Sequence, residues 1–155
     1  MEFHAILKFF VPTGIWLRRT TVLFCFIFLD YLVTIVFCRQ PSAEGNIYAR
    51  AFMQDYGIAA GLAIFDLLMA IPLYFILCVD SLINLPKGFS TVIELSTDLG
   101  LGWLVAGAHF DGAMSWLWGA PGIVGQTIGL VIYELIAAPP LINSRKLLLS
   151  RLGNS

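Results

Sequence analysis

The chain has 155 residues, of which 59% are hydrophobic and only 12% are charged, and its formal net charge is −1. A typical soluble domain has roughly 25% charged residues, and a chain this short could not bury so much apolar surface within itself. The composition therefore indicates a one-domain integral membrane protein whose apolar surface contacts the lipid bilayer. The net charge argues against a nucleic-acid partner.

Residues 1–19 are interpreted as an amphipathic helix that lies in the membrane interface, with Phe3 and Phe10 on its apolar face. A secretion signal is disfavoured because Arg18 and Arg19 follow the apolar stretch, whereas a signal peptide carries its positive charge first.

Four apolar stretches follow, each close to the roughly 20 residues that a helix needs to cross a bilayer. They run over about residues 20–38, 57–79, 89–108 and 123–141. The links between them contain Gly, Pro or charged residues, which mark breaks between helices. The expected fold is therefore all-α, a polytopic four-helix bundle over residues 20–142, with a basic cytoplasmic tail over residues 143–155.

The lysines and arginines are divided unevenly between the two sides of these spans. Seven lie on the side of the termini, and only Arg39 and Arg50 lie on the other side. Positive residues accumulate on the cytoplasmic side of a membrane. We therefore expect both termini in the cytoplasm and the protein in the plasma membrane.

The acidic residues of the spans predict an internal repeat. Two pairs of acids share a spacing of 68 residues, Asp30 with Asp98 and Asp66 with Glu134. In the same register the pattern GxxxGLxI[FY][DE] occurs at residues 57–66 and 125–134. Repeat units of about 20–80 and 88–142 would be related by a twofold axis along the membrane normal, as in parallel-repeat transporters. Chance similarity is the alternative, because Gly, Leu and Ile are abundant in membrane helices.

Each copy of this pattern contains two glycines that are four residues apart. They are Gly57 with Gly61 and Gly125 with Gly129. Small residues at this spacing let membrane helices approach closely. We expect these glycines at packing contacts of the second and fourth spans and assign no chemistry to them.

Acids near the middle of the spans are the candidate functional residues. Each costs about 2.5–3.5 kcal/mol at the bilayer centre, so we expect these acids to point into the bundle. The four predicted spans contain no lysine or arginine, so we expect no buried salt bridge. We expect the carboxyls instead to stay neutral, to share protons or to bind a cation. The predicted ion or proton pathway consists of Asp30, Asp66, Glu94, Asp98, Glu134 and Thr34.

A second polar group falls in the outer links and would form one mouth of the bundle. It consists of Glu44, Asn46, His109 and Asp111. A cation could bind there, but the spacing typical of metal ligands is absent, so the sequence identifies no metal. We expect no organic cofactor and assign no catalytic residue, because neither G-x-S-x-G nor H-E-x-x-H occurs.

Residues 28–57 contain three short segments, LDYLVT at 29–34, EGN at 44–46 and AR at 49–50. Together they resemble a family of small prokaryotic membrane proteins of uncharacterised function. That family tends to have proline after the asparagine, where this chain has Ile47. The resemblance implies a helical-hairpin membrane fold and no particular activity.

The sequence favours a cation- or proton-coupled transporter or channel that uses the midplane carboxylates. Because four spans rarely enclose a pathway alone, we expect a homo-oligomer or a partner in a membrane complex. Two alternatives stay open. The chain could be a non-catalytic accessory or scaffold subunit whose carboxyls only hold helices together, or a lipid-modifying enzyme with its site at the outer mouth.

Overall fold

The computed structural model describes residues 11–12, 14–80, 96–119 and 121–137. These residues are 86% helical and include no strand, which confirms the predicted all-α class. The helices are α1 (Ile15–Phe37), α2 (Ile47–Tyr56), α3 (Ile58–Asp80), α4 (residues 96–115, with the π-helical segment Gly102–Gly107 inside it) and α5 (Gly122–Ala137). A short 3-10 turn, Pro41–Ala43, precedes α2. Most of the expected interfacial helix, Glu94 and the tail at 143–155 lie outside the described residues.

Two of the described helices, α1 and α3, are long and apolar enough to cross a membrane. In each, only 28% of the residues in the most apolar 18-residue stretch are buried, unlike the core helix of a soluble protein. Their outward faces carry exposed apolar side chains such as Phe28 and Leu67. A surface of this kind suits contact with lipid. Helix α5 is also apolar but has 16 residues.

Helices α1 and α4 run parallel to each other. Arg19 of α1 contacts Asp98 of α4, and Asp30 contacts His109, so that both contacts join residues 79 apart. A constant offset requires the two helices to run in the same direction. In α1, the 11 residues from Arg19 to Asp30 make about three helical turns, which places both side chains on one face of that helix.

Helix α3 runs antiparallel to α1. Phe24, in the first half of α1, packs edge-to-face against Tyr74 near the end of α3, with ring centroids 6.1 Å apart. Tyr31, farther along α1, donates a hydrogen bond of 3.4 Å to the carbonyl oxygen of Ala59, near the start of α3. The two helices therefore form an up–down pair.

Helix α5 packs antiparallel on α4 through glycines of both helices. A Cβ atom at Gly129 would lie 2.8 Å from Cα of Gly107 and 2.9 Å from the carbonyl oxygen of Ala106, while one at Gly107 would lie 2.6 Å from the carbonyl oxygen of Gln126. No side chain larger than hydrogen fits these contacts without a shift. The expected packing role of the glycines in this part of the chain is confirmed.

The corresponding glycines of α3 have different roles. Gly57 adopts φ +84° and ends α2, and a Cβ atom there would meet nothing within 4 Å. The prediction that Gly57 lies at a close contact is therefore wrong, because the chain needs its left-handed conformation for a turn. Gly61 does lie at a contact, but its neighbour is the backbone of Phe52 in the short helix α2.

The register between α1 and α4 differs from the predicted repeat. A rotation about the membrane normal would place residues 68 apart at the same height, whereas the observed contacts join residues 79 apart. The difference of 11 residues corresponds to about 16 Å along a helix. Asp30 and Asp98 therefore lie at different heights, so the expectation of one common depth is wrong for them. The duplication of two hairpins is not confirmed.

We expect the substitution Gly129→Ala to lower the free energy of unfolding by about 1–3 kcal/mol, since the added methyl group must push α5 away from the backbone of α4. Gly100→Ala is the matched control, because Gly100 is also helical and a Cβ atom there would meet nothing within 4 Å. This second change should be neutral or stabilise by about 0.5–1 kcal/mol. Thermal unfolding in detergent would test both substitutions. A Gly129→Ala protein as stable as wild type would contradict the close approach of α5 to the backbone of α4 at Gly129.

Candidate functional site

One cavity of about 740 Å³ contains most of the predicted site residues. It lies between α1, α3 and α4, and the link that precedes α2 forms part of its wall. Seven of the ten predicted residues line it, namely Asp30, Thr34, Glu44, Asn46, Asp66, His109 and Asp111. Residues that the sequence assigned separately to a midplane pathway and to an outer mouth thus belong to a single site.

The carboxylate of Asp30 is held by contacts on both of its oxygens. Oδ2 lies 2.8 Å from Nδ1 of His109, and Oδ1 accepts a hydrogen bond of 3.4 Å from the hydroxyl of Thr34. That hydroxyl accepts a hydrogen bond of 3.1 Å from the indole Nε1 of Trp116. A Cβ atom at Gly112 would lie 2.9 Å from either carboxylate oxygen, so the glycine makes room for this group. Trp116 was not predicted as a site residue.

Asp66 and Asp111 line the same cavity without a fixed partner. Neither carboxylate has a hydrogen bond or an ion pair with any residue in the part of the chain that the structure describes. Asp66 lies within electrostatic range of Asp30, Glu44 and His109. Four carboxyls, those of Asp30, Glu44, Asp66 and Asp111, therefore share one partly enclosed volume with the imidazole of His109.

Asp111 reaches the cavity from the contact of α4 with α5. A Cβ atom at Gly122 would lie 3.0 Å from its Oδ2, and one at Gly125 would lie 3.1 Å from its Cα. Glycines of α5 thus leave space for this carboxyl. The sequence predicted close packing at Gly125, but it did not show that an acid is the group accommodated there.

The link before α2 forms the rim of the cavity. The side chain of Asn46 caps α2 by accepting hydrogen bonds from the backbone N–H groups of Tyr48 and Ala49. Glu44 accepts a hydrogen bond of 2.8 Å from the N–H of Asn46, and the guanidinium Nε of Arg50 donates one of 2.9 Å to the carbonyl oxygen of Glu44. The segments EGN and AR thus have a structural role, since they order this rim.

Asp98 and Glu134 lie apart from the cavity, in a second cluster around Arg19. Arg19 Nη2 donates to Oδ2 of Asp98 at 2.5 Å, and both side chains are completely buried. The Tyr133 hydroxyl lies 3.5 Å from the other oxygen of Asp98, and the guanidinium of Arg19 lies 4.4 Å from the ring centre of Trp16. Glu134 is within electrostatic range of Arg19, although its buried Oε1 has no hydrogen-bond partner in the part of the chain that the structure describes.

The Arg19–Asp98 ion pair corrects two expectations. The sequence predicted that Arg19 precedes the first span and that no salt bridge is buried, but α1 begins at Ile15 and includes Arg19. Arg19 lies in the second turn of α1, and its guanidinium lies beside Trp16, within hydrogen-bond distance of Asp98. Asp98 therefore has a basic counter-charge, and it does not line the cavity that contains Asp30. The signal in the sequence was the 11-residue spacing from Arg19 to Asp30, which equals that from Asp98 to His109.

Metal binding has no support in the arrangement of these side chains. Across residues 14–80, 96–119 and 121–137, no group of three or more His, Cys, Asp or Glu could hold a metal ion. The acids of the cavity surround an open volume instead of converging on one point, as the first coordination shell of a metal requires.

Asp98→Asn should lower the free energy of unfolding by about 3–5 kcal/mol, because it leaves the charge of Arg19 buried without its counter-ion. The double change Arg19→Met with Asp98→Leu should recover most of this loss, since it removes both charges. Glu134→Gln is the control and should have little effect on the free energy of unfolding, because Arg19 retains its ion pair with Asp98. Unfolding curves in one detergent would measure all three, and an Asp98→Asn protein as stable as wild type would refute the structural role of the pair.

Comparison with known proteins provides no relative from which a function could be transferred. No family model, no curated protein and no solved structure matches the chain. The resemblance of residues 28–57 to small prokaryotic membrane proteins therefore stays a prediction.

Proposed function

We propose that the chain is an integral membrane protein that takes up a cation or protons in the cavity around Asp30, as a cation- or proton-coupled transporter or channel. The observation that carries the proposal is the contact of Asp30 with His109 in a cavity where Asp66 and Asp111 have no fixed partner among the described residues. Among the described residues that line this cavity, four are carboxylic acids and none is lysine or arginine.

The chemistry of such a site is a competition between protons and another cation. The like charges of Asp30, Asp66 and Asp111 repel one another in a partly enclosed volume, and added positive charge relieves this repulsion. Either protons or a bound cation can supply that charge. Since both use the same oxygens, binding of one favours release of the other, and this is the basis of coupled exchange.

The packing between the cavity and the Arg19 cluster supports transport by alternating access rather than through an open pore. Leu23 and Phe26 lie on α1 between Arg19 and Asp30, and both belong to an apolar core that also contains Ala106. This core separates the cavity from the polar cluster at the other end of α1. Passage of an ion would require these helices to move, alone or in a homo-oligomer.

The directions of the helices support the proposed topology of four spans with both termini on one side of the membrane, and the excess of lysine and arginine on that side favours the cytoplasm. Helices α1 and α4 run one way, and α3 and α5 run the other way, as four alternating crossings require. The rim of the cavity at Glu44 and the end of α4 at Trp116 would then both face outward.

An accessory or scaffold subunit is the second candidate function. It is favoured by the Arg19–Asp98 pair, in which an intramembrane acid has a structural partner and no access to the cavity. In such a protein Asp30 and His109 would also serve only to join α1 to α4.

Labelling of single cysteines tests the topology. In a chain whose three native cysteines are replaced by alanine, Arg18→Cys and Ser96→Cys should react with an impermeant maleimide from the cytoplasmic side only. Ser42→Cys and Trp118→Cys should react from the outside only. All four positions are exposed. Labelling of Arg18→Cys and Ser42→Cys from the same side would exclude α1 as a span.

Flux measurements in proteoliposomes test the role of the cavity. Asp30→Asn and Asp66→Asn should each reduce cation-driven proton movement across the membrane at least about tenfold, because an amide side chain does not take up or release a proton near neutral pH. Asp55→Asn is the matched control, since Asp55 is exposed on α2 and does not line the cavity. Wild-type liposomes that move neither protons nor alkali or divalent cations would favour the accessory-subunit function.

A further inference from the structure

We propose that the cavity binds an organic ammonium cation, an amine or quaternary ammonium group with apolar substituents, in preference to an inorganic ion. This inference rests on the proposed function, because it identifies the class of cation that the site takes up. The shape and walls of the cavity carry the argument, together with the charge that its acids supply.

The size of the cavity fits a small organic molecule. Pockets for such ligands have volumes of roughly 300–1,000 Å³, and this cavity has about 740 Å³. A bare calcium ion would need about six to eight oxygens at roughly 2.3–2.6 Å, and the described side chains offer no group that could hold a metal ion. The volume is far larger than one metal ion and its ligands would fill.

The walls of the cavity are mostly apolar. These wall residues come from three helices and are Ile27 of α1, Leu62, Phe65, Met69 and Leu73 of α3, and Leu104 and Val105 of α4. An inorganic cation gains nothing from such a surface. Alkyl or aryl groups on a ligand would gain about 25 cal/mol for each Å² of apolar area removed from water.

The polar side of the cavity supplies a counter-charge and aromatic rings. Asp66 has no hydrogen-bond or ion-pair partner among the described residues, so its carboxylate is available to an ammonium group. Trp116 lines the same volume, and its hydrogen bond to Thr34 fixes the indole ring. Phe65 provides a second ring. Aromatic faces attract quaternary and alkylated ammonium groups through cation–π interactions.

An ammonium group could belong to a free amine or to the headgroup of a lipid. The chemistry recognised is the same in both cases. The two sources differ in whether the surrounding bilayer competes with a soluble ligand, and the choice of lipid in the binding assay separates them.

The test measures binding of benzyltrimethylammonium by isothermal titration to the full chain in nanodiscs of phosphatidylglycerol. We expect saturable binding that is stronger than that of tetramethylammonium, because the benzyl group adds apolar contact. Choline should bind more tightly than 3,3-dimethylbutan-1-ol, its neutral isostere of the same shape. Nanodiscs that contain phosphatidylcholine should weaken the apparent affinity if a headgroup is the natural ligand, and should leave it unchanged if a free amine is.

Variants locate the binding in the cavity. Asp66→Asn should weaken binding at least about tenfold, and Trp116→Leu by about 3- to 30-fold, whereas Trp116→Phe should retain most of the affinity because it keeps a ring. Asp55→Asn should not change it. The comparison of choline with its isostere uses only the wild-type chain, so it stays decisive even where a variant does not fold.

Two results would overturn the inference, and they have different consequences for the proposed function. If potassium or calcium binds or is transported in an Asp66-dependent way while the ammonium probes do not bind, the ligand class is wrong and the proposed function stands. If no cation of either class binds and wild-type liposomes show no flux, both proposals fail. Equal binding of choline and its neutral isostere would also overturn the inference, since charge would then have no part in recognition.

Discussion

The ion pair between Arg19 and Asp98 sets the height at which α1 meets α4, and the candidate site depends on that height. Both side chains are completely buried, so separating them would leave two charges without water or counter-ion, at a cost of several kcal/mol. A slip of one helical turn would move the helices by about 5.4 Å and break the pair. In the observed register Asp30 meets His109, and Thr34 meets Trp116. The polar contacts of the cavity thus follow from an interaction about three turns away.

Close packing of α5 on α4 is the second constraint on the site. Glycines at this contact let the two backbones approach, and they leave space beside Asp111 that any Cβ atom would fill. The carboxyl of Asp111 can therefore lie on a packed surface and still line the cavity. The glycines at this contact therefore have two roles: they let α4 and α5 pack closely, and they leave space for the carboxyl of Asp111.

The acids of the helices differ in how their charge is compensated, and under the proposed function this difference separates a structural acid from the acids that bind a cation. Asp98 faces Arg19, a tyrosine hydroxyl lies near its other oxygen, and it does not line the cavity. Asp66 and Asp111 line an open volume with no described lysine or arginine in its wall. An acid that is paired with a basic residue of the protein contributes to stability. An acid beside a cavity that has no such counter-charge favours the binding of a cation from outside the protein.

Local features of the sequence determined the helical class, the apolar outer faces of α1 and α3, and most of the polar residues of the site. Each of these depends on composition and on periodicity within one segment. The cap at Asn46 is equally local, because its partners are two and three residues away. Only the tertiary structure decided which acid meets which partner. The predicted spacing of 68 residues and the observed offset of 79 differ because the height of one helix beside another depends on contacts between distant segments. The contact with Asp98 in the structure identifies Arg19 as a buried ion-pair partner, and the positive φ of Gly57 identifies that glycine as a turn residue. Neither can be read from the local sequence.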